Sequence, residues 1–187
     1  MFNSIESFVE ENLNPFYRAH YALWVYWWPV WRSAYSGPHI RKYWDKFGLV
    51  KPGQSFLDFG CGTGCFSLPA AKIVQNSGTV YALDCFPRQL DIVKKRAHKA
   101  GLANIVTMLS DEKINLDDGS MDVIWMCDVF HEIMQKRQML EELHRVLKPA
   151  GVLAIYDDWV NKVPAYTDGL FVQDISDNKI IVLKPIS

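Results

Sequence analysis

From residue 54 onward, short apolar runs alternate with longer amphipathic segments. The runs have the length and the β-branched and aromatic content of buried strands: QSFLDF, TVYALD, NIVTML, MDVIWMC and GVLAIYD. Residues 87–100 and 132–147, between them, have helical periodicity. This alternation predicts an α/β fold, a parallel sheet with helices on both faces. The last segment, GLFVQDISDNKIIVLKPI, predicts an antiparallel hairpin around Asp177 and Asn178 that closes the sheet.

The part of the chain ahead of this pattern is rich in aromatic residues. Five of the seven Trp residues lie within residues 24–44, and aromatic side chains recur there at helical spacing. Residues 39–47 predict a further helix that ends at Gly48. We therefore expect two parts: a helical cap or lid, residues 1–48, and a main domain, residues 49–187.

Composition excludes several classes of protein. Lys plus Arg number 20 and Asp plus Glu number 21, a net charge of -1, which argues against sequence-independent binding to DNA. Four Cys are too few for a disulfide framework, and the C-x3-C spacing of Cys61 and Cys65 lacks partners for a structural metal. The N-terminus carries acids where a signal peptide carries bases. We expect a reduced, cytoplasmic protein without a metal.

The run FLDFGCGTG places glycines directly after a strand. Gly60, Gly62 and Gly64 allow a tight turn and a close approach of a ligand to the main chain. A dinucleotide site needs a third glycine in G-x-G-x-x-G, and Cys65 or Ser67 stands there, depending on the frame. The loop therefore favours a ligand other than a pyrophosphate.

Acidic residues stand at the ends of three successive strands. Asp58 precedes the glycines, Asp84 ends the second run 24 residues after Gly60, and Asp111, with Glu112, follows the third. Carboxyl ends of parallel strands meet at one edge, where open sheets bind ligands. An acid at the second strand suits ribose hydroxyls, and one at the third suits an adenine amino group. Together they predict a nucleoside site.

Four segments carry a family resemblance: LDFGCGTG, the ALD of the second strand, SMDVIWMCDVFHEI and LHRVLKPAGVLAIYD. Together they resemble the class I S-adenosylmethionine-dependent methyltransferases, in particular the small-molecule group with the ubiquinone/menaquinone-biosynthesis C-methyltransferases. The resemblance runs from about residue 36 to the C-terminus. It implies a Rossmann-like, seven-stranded, mostly parallel sheet with an antiparallel terminal hairpin, and S-adenosylmethionine as the cofactor.

The resemblance also implies how the cofactor is held. Asp58 and the glycine loop would hold the methionine part, Asp84 the ribose and Asp111 the adenine amino group, with Cys85 or Phe86 on the adenine face. The cofactor site predicted in this way contains Asp58, Phe59, Gly60, Cys61, Gly62, Thr63, Gly64, Asp84, Cys85, Phe86, Asp111, Glu112 and Asp128.

The candidate catalytic residues Asp128, His131 and Glu132 follow the fourth strand. Methyl transfer needs near-attack geometry, exclusion of water and, for an acceptor that carries a proton, a base. His131 is a candidate base, or it caps or faces solvent at the start of helix 132–147. Asp128 is expected to line the cofactor pocket or to cap the same helix. The segment lacks the Asn/Asp-Pro-Pro-aromatic motif of DNA amino-methyltransferases.

The aromatic N-terminal segment has three interpretations. It packs as a cap on the sheet domain, it forms a lid over the acceptor, or it makes a peripheral contact with a membrane interface. The charge-free run 19–31 is too short to span a bilayer, which takes about 20 apolar residues. In the lid interpretation, the acceptor contacts come from Tyr17, Tyr21, Trp24 and Trp28.

We therefore expect methyl transfer from S-adenosylmethionine to a small, apolar or aromatic acceptor. One alternative is an S-adenosylmethionine-binding protein without catalysis, which the short segment 158–168 leaves open. Related enzymes build substrate contacts in that segment. The other alternative is an NAD(P)-dependent oxidoreductase, which the missing third glycine disfavours.

Overall fold

The computed structural model describes residues 37–110 and 113–186. Seven strands lie in these ranges: β1 Ser55–Phe59, β2 Thr79–Asp84, β3 Ile105–Leu109, β4 Met121–Cys127, β5 Leu147–Tyr156, β6 Phe171–Ser176 and β7 Ile180–Pro185. The α-helices are α1 Gly37–Phe47, α2 Ser67–Val74, α3 Pro87–Lys99 and α4 Lys136–Val146. Two 3₁₀ helices, Phe130–Glu132 and Val160–Tyr166, follow β4 and β5.

The strands form one sheet in the order β3-β2-β1-β4-β5-β7-β6. The first five are parallel, and β7 pairs antiparallel with both β5 and β6. The predicted fold class and the terminal hairpin are confirmed. Strands β2 and β3 lie on one side of β1, and β4 pairs with β1 on its other side. That reversal opens a crevice beyond the carboxyl ends of β1 and β4.

Strand side chains alternate between two cores, one on each face of the sheet. On β4, Trp125 packs on the face covered by α1 and α2, whereas Ile124 packs on the face covered by α4. The ring of Trp44 in α1 lies 5.5 Å, centroid to centroid, from both Phe56 and Trp125. Helix α1 therefore belongs to the packed core, although the sequence placed it in the cap segment.

The expectations for residues 1–36 lie outside the described residues, and the division at residue 48 stays a prediction. Over the two described ranges, no helix combines the length and the apolar character needed to cross a bilayer.

The region after β4 differs from the predicted helix over 132–147. The chain first forms the 3₁₀ turn Phe130–Glu132, and α4 begins only at Lys136. The backbone N–H of His131 donates to the Asp157 carboxylate, and the Lys136 ammonium donates to the carbonyl of Ile133. These long-range and side-chain partners replace helical hydrogen bonds, so the helix starts later than its apolar periodicity indicates.

Candidate functional site

The glycine loop after β1 directs its N–H groups into the protein. The N–H groups of Gly60 and Cys61 both donate to the Leu83 carbonyl, at 2.8 and 2.9 Å. The Gly62 N–H donates to the Asp84 carboxylate at 2.7 Å, and the Gly64 N–H donates to the Cys61 carbonyl at 2.9 Å. These four donors are satisfied internally, so they do not form an outward-facing anion cradle.

Gly60 brings the loop close to the turn after β4. Its φ is +74°, and a Cβ at this position would lie 2.3 Å from Cγ2 of Val129. Only glycine combines this left-handed backbone with so short a distance to a neighbouring side chain. The close approach joins the ends of β1 and β4, on the two sides of the crevice.

Asp58 is a buried acid beneath the loop. Its side chain is 1% exposed, and it accepts a hydrogen bond of 2.5 Å from the Ser67 hydroxyl at the start of α2. Burial raises the pKa of Asp58 to about 7, although the hydrogen bond from Ser67 acts in the opposite direction. The carboxyl therefore changes its charge near neutral pH, and a bound cation would favour the ionised form.

Asp84, at the end of β2, is tied to the loop through both carboxylate oxygens. Oδ2 accepts the Gly62 N–H, and Oδ1 accepts the Phe86 N–H at 3.0 Å. Burial raises its pKa, while these backbone donors oppose the rise. Each carboxylate oxygen has further acceptor capacity, so hydroxyl groups of a ligand can still bind.

Three other residues predicted for the cofactor site, Phe59, Cys61 and Thr63, are buried. The Thr63 carbonyl accepts a hydrogen bond of 2.6 Å from Arg96 of α3. Cys85 is partly exposed, and burial raises its thiol pKa to about 12. The predictions for Asp111, Glu112, Tyr17, Tyr21, Trp24 and Trp28 concern residues outside the described ranges.

The end of β4 carries the three candidate catalytic residues. Asp128 has a φ of +50°, and its backbone N–H donates to the Tyr156 carbonyl at 2.8 Å. It does not cap α4, which begins at Lys136. Burial is the main cause of the raised pKa of Glu132, and the charge of Asp84 adds to it.

Asp157, directly after β5, is a site residue that the sequence analysis missed. Its carboxylate is fully buried, and Nδ1 of His131 lies 3.2 Å from Oδ1 and 3.0 Å from Oδ2. His131 is therefore neither a cap of α4 nor a fully exposed residue. A signal was present in the sequence, since Asp157 ends the run GVLAIYD as Asp84 ends TVYALD.

The site thus has two connected parts in the described structure. Asp58, the glycine loop and Asp84 lie together at the ends of β1 and β2, and His131, Glu132 and Asp157 lie together at the ends of β4 and β5. Within the described ranges, no three His, Cys, Asp or Glu side chains are grouped so as to hold a metal ion.

Comparison with known proteins gives consistent matches. Residues 57–155 match the family model described as a methyltransferase domain. Demethylmenaquinone methyltransferase of Lactobacillus johnsonii is 32% identical over 119 residues, which are 63% of this chain and 49% of that protein. The 2-phytyl-1,4-naphtoquinone methyltransferase of Nostoc punctiforme is 32% identical over 114 residues, 60% of this chain and 50% of that protein. The chain thus spans about half the length of these curated relatives.

A solved structure of similar size also matches. The crystal structure of an S-adenosylmethionine-dependent methyltransferase from Aquifex aeolicus has a TM-score of 0.67 and 27% identity to this chain. The match covers 84% of this chain and 92% of that chain.

Proposed function

The chain belongs to the methyltransferase-domain family, whose model it matches over residues 57–155, and we propose that it transfers a methyl group from S-adenosylmethionine to a small, apolar or aromatic acceptor. The observation that carries this proposal is the glycine loop with its N–H groups turned inward above two buried acids, Asp58 and Asp84.

This donor set fits S-adenosylmethionine better than a dinucleotide. A pyrophosphate needs outward N–H donors and a positive environment, whereas the loop N–H groups of Gly60, Cys61 and Gly62 are used internally. A sulfonium and an ammonium group are cations, and Asp58 and Asp84 supply a negative environment for them. The geometry therefore favours the methyltransferase over the NAD(P)-dependent oxidoreductase.

In the proposed complex, Asp58 and the loop hold the methionine end, and Asp84 binds the ribose hydroxyls. Asp111 accepts from the adenine amino group, and Cys85 or Phe86 packs on the adenine face. When bound, the cofactor supplies an electrophilic methyl carbon on a sulfonium. The protein must position the acceptor, exclude water and remove a proton where the acceptor carries one.

The acceptor side is assigned to the ends of β4 and β5, with His131 as the candidate base and Glu132 and Asp128 beside it. The two relatives named above are demethylmenaquinone and 2-phytyl-1,4-naphtoquinone methyltransferases, which supports a quinone-like ring as the acceptor. Residues 1–36 would supply the lid through Tyr17, Tyr21, Trp24 and Trp28, or a contact with a membrane interface. A cytoplasmic location is part of this proposal, and it is supported by a cysteine count of four, which is too small for a disulfide framework.

Titration calorimetry with S-adenosylmethionine, S-adenosylhomocysteine and NAD, each against the full chain, tests the cofactor. We expect binding of the first two, and binding of NAD alone would overturn the proposal. Release of S-adenosylhomocysteine in the presence of quinols, phenols and amines then tests turnover. Cofactor binding without turnover on any acceptor would favour the alternative of a binding protein without catalysis.

A further inference from the structure

Helix α4 carries an ion pair that also binds the connection between β3 and β4. Nε and Nη2 of Arg145 donate to the two carboxylate oxygens of Glu142 at 2.8 and 2.6 Å. The same guanidinium donates to two backbone carbonyls of the connection, that of Ile114 at 2.9 Å and that of Leu116 at 3.0 Å. It also donates to the Asp118 carboxylate. One side chain of α4 thus holds three residues of the connection.

Glu142 binds the same connection as its partner does. Its Oε1 accepts the backbone N–H of Ile114 at 2.9 Å. The hydrogen bond from Arg145 is the main cause of the lowered pKa of Glu142, so this carboxylate is ionised at neutral pH. An ionised carboxylate on an arginine fork is a strong contact with a specific geometry. Ile114 therefore has its N–H and its carbonyl bound to one ion pair, and its side chain is 3% exposed.

The connection is fixed to the cofactor side at its beginning. The backbone N–H of Ser110, directly after β3, donates to the carbonyl of Asp84 at 2.8 Å. Asp84 is the residue proposed to bind the ribose. In the sequence, Ser110 is followed by Asp111, the proposed acceptor of the adenine amino group, and Ile114 comes three residues later. Because each residue spans at most about 3.6 Å, two fixed ends restrict where so short a link can lie.

A second arginine–glutamate pair on α4 offers a direct comparison. Nε of Arg137 donates to Glu141 at 2.9 Å, and its guanidinium also donates to the backbone carbonyls of Tyr166 and Asp168. This second pair holds the chain ahead of β6. Its two side chains are 46% and 54% exposed, whereas those of Arg145 and Glu142 are 22% and 17% exposed. The two pairs share one helix and one chemistry and differ in the connection that they bind.

We propose that Glu142 and Arg145 are positioning residues for the adenine end of the cofactor, and that they act through the connection between β3 and β4. The proposal rests on the proposed function, in which S-adenosylmethionine binds at the carboxyl edge of the sheet. Neither side chain needs to touch the cofactor. By fixing Ile114 in the free protein, the pair removes conformational freedom that the binding of adenine would otherwise have to remove.

A positioning role has a consequence that a purely structural role lacks. Loss of an interaction that only stabilises the fold lowers the fraction of binding-competent protein, and the apparent affinities for all ligands of the site then fall by one common factor. Loss of an interaction that places the adenine-binding part weakens the recognition of adenine more than the recognition of another base. The ratio of two ligand affinities therefore distinguishes the two roles.

The two ligands are S-adenosylhomocysteine and S-inosylhomocysteine, which carries a carbonyl oxygen in place of the adenine amino group. A carboxylate accepts a hydrogen bond from an amino group and donates none to a carbonyl. We expect calorimetry on the full-length wild type to show about 10- to 150-fold tighter binding of S-adenosylhomocysteine. The Arg145→Lys variant keeps the charge and loses the fork, and it should reduce this ratio about threefold or more.

Arg137→Lys is the matched control, because it makes the same change in the same helix and affects the pair with Glu141. Its affinity ratio should equal that of the wild type. Glu142→Gln is the second variant: it keeps an oxygen acceptor for the Ile114 N–H and removes the charge, and it should reduce the ratio as Arg145→Lys does. A wild-type ratio in either variant of the Glu142–Arg145 pair would overturn the proposal.

Hydrogen exchange on the wild type tests the proposal without any variant. We expect the Ile114 amide to exchange slowly in the ligand-free protein. Fast exchange that only S-adenosylhomocysteine slows would overturn the proposal, because the ligand would then order the connection.

The same measurements separate this inference from the proposed function. Equal binding of the two ligands by the wild type would overturn the inference and leave S-adenosylmethionine as the cofactor. Failure of the wild type to bind S-adenosylhomocysteine would instead overturn the proposed function.

Discussion

The carboxylate of Asp84 accepts the backbone N–H of Gly62 at 2.7 Å, which joins the end of the second strand to the glycine loop that follows the first. The same carboxylate accepts the Phe86 N–H at 3.0 Å through its other oxygen. Asp84 thus supports the shape of the loop at the carboxyl edge of the sheet.

The Asp84→Asn variant should bind S-adenosylmethionine about 10- to 150-fold more weakly. Loss of charge-assisted hydrogen bonds to ribose costs about 1.5–3 kcal/mol. Titration calorimetry measures the change, and kcat should be largely restored by excess cofactor. The control is Asp91→Asn, because Asp91 is exposed on α3 and pairs only loosely with Lys94, at 3.7 Å. Equal affinities of Asp84→Asn and wild type would remove Asp84 from the cofactor site.

Stability should depend on pH through Asp58. The folded-state pKa of about 7 lies above the ordinary value of 3.8, so the folded protein binds more protons than the unfolded chain between these values. The contribution of Asp58 to stability is therefore most favourable below about pH 4 and is lost as pH rises to about 7. Its slope is at most about 1.4 kcal/mol per pH unit.

The Asp58→Asn variant isolates this effect, because an amide does not titrate. The Tm of this variant minus that of wild type should become more positive between pH 5 and pH 7, as measured by differential scanning calorimetry. Asp174→Asn controls for surface charge, since Asp174 is exposed and pairs with Lys184 at 3.0 Å. A Tm difference that is constant with pH would contradict the raised pKa.

Gly60→Ala should destabilise the protein more than Gly101→Ala. Both glycines have a positive φ, but a Cβ at Gly101 meets no atom within 4 Å, whereas one at Gly60 meets Val129 at 2.3 Å. Backbone strain costs about 1–2 kcal/mol at either position, and overpacking adds about 1–3 kcal/mol at Gly60. Chemical denaturation measures both variants. Val129→Ala in the Gly60→Ala background should recover part of the loss, and no recovery would contradict the contact.

The His131→Gln variant should have a lower kcat than the wild type and an unchanged affinity for S-adenosylmethionine. A general base contributes about 10²–10⁴-fold to the rate. His131 lies in the turn after β4, whereas Asp84, which we propose binds the ribose, ends β2. Steady-state kinetics at saturating cofactor measure kcat, with His98→Gln of α3 as the control. Full kcat in His131→Gln would leave proximity and desolvation as the origin of the rate.

Deletion of residues 1–36 tests the lid, cap and membrane interpretations of the aromatic segment. The strands and the cofactor motifs lie after residue 50, so the shortened chain should fold and bind S-adenosylmethionine weakly. We expect it to lose acceptor turnover if the aromatics form a lid. Calorimetry, turnover assays and flotation with liposomes distinguish the outcomes. Normal turnover would contradict the lid, and liposome binding that is lost on deletion would favour the membrane interface.

Much of the fold could be predicted from local patterns. The apolar runs predicted β1 to β5, and the last segment predicted the antiparallel hairpin of β6 and β7. The apolar face predicted for residues 39–47 buries Ile40 and Trp44 in the core. These features follow from side-chain periodicity and chain-breaking residues, which are properties of neighbouring positions.

The positions of Asp58 and Asp84, the two acids proposed to hold the cofactor, were also predictable from local patterns. Parallel strands bring their carboxyl ends to one edge, so Asp58 and Asp84 were expected there from their places after strand runs. What the pattern did not contain was the partner of each acid. Ser67 donates to Asp58 and Gly62 donates to Asp84, and both contacts depend on how the loop turns in three dimensions.

The sequence by itself therefore determined the strands, the helices α1 and α3, and the edge at which the candidate site residues Asp58 and Asp84 lie. Only the tertiary structure decided that Asp157 meets His131, 26 residues earlier in the chain, and that α4 starts at Lys136. The physical reason is that the pairing follows from β4 and β5 being neighbours in the sheet. Strand order results from the packing of whole layers, so no local pattern of residues specifies it.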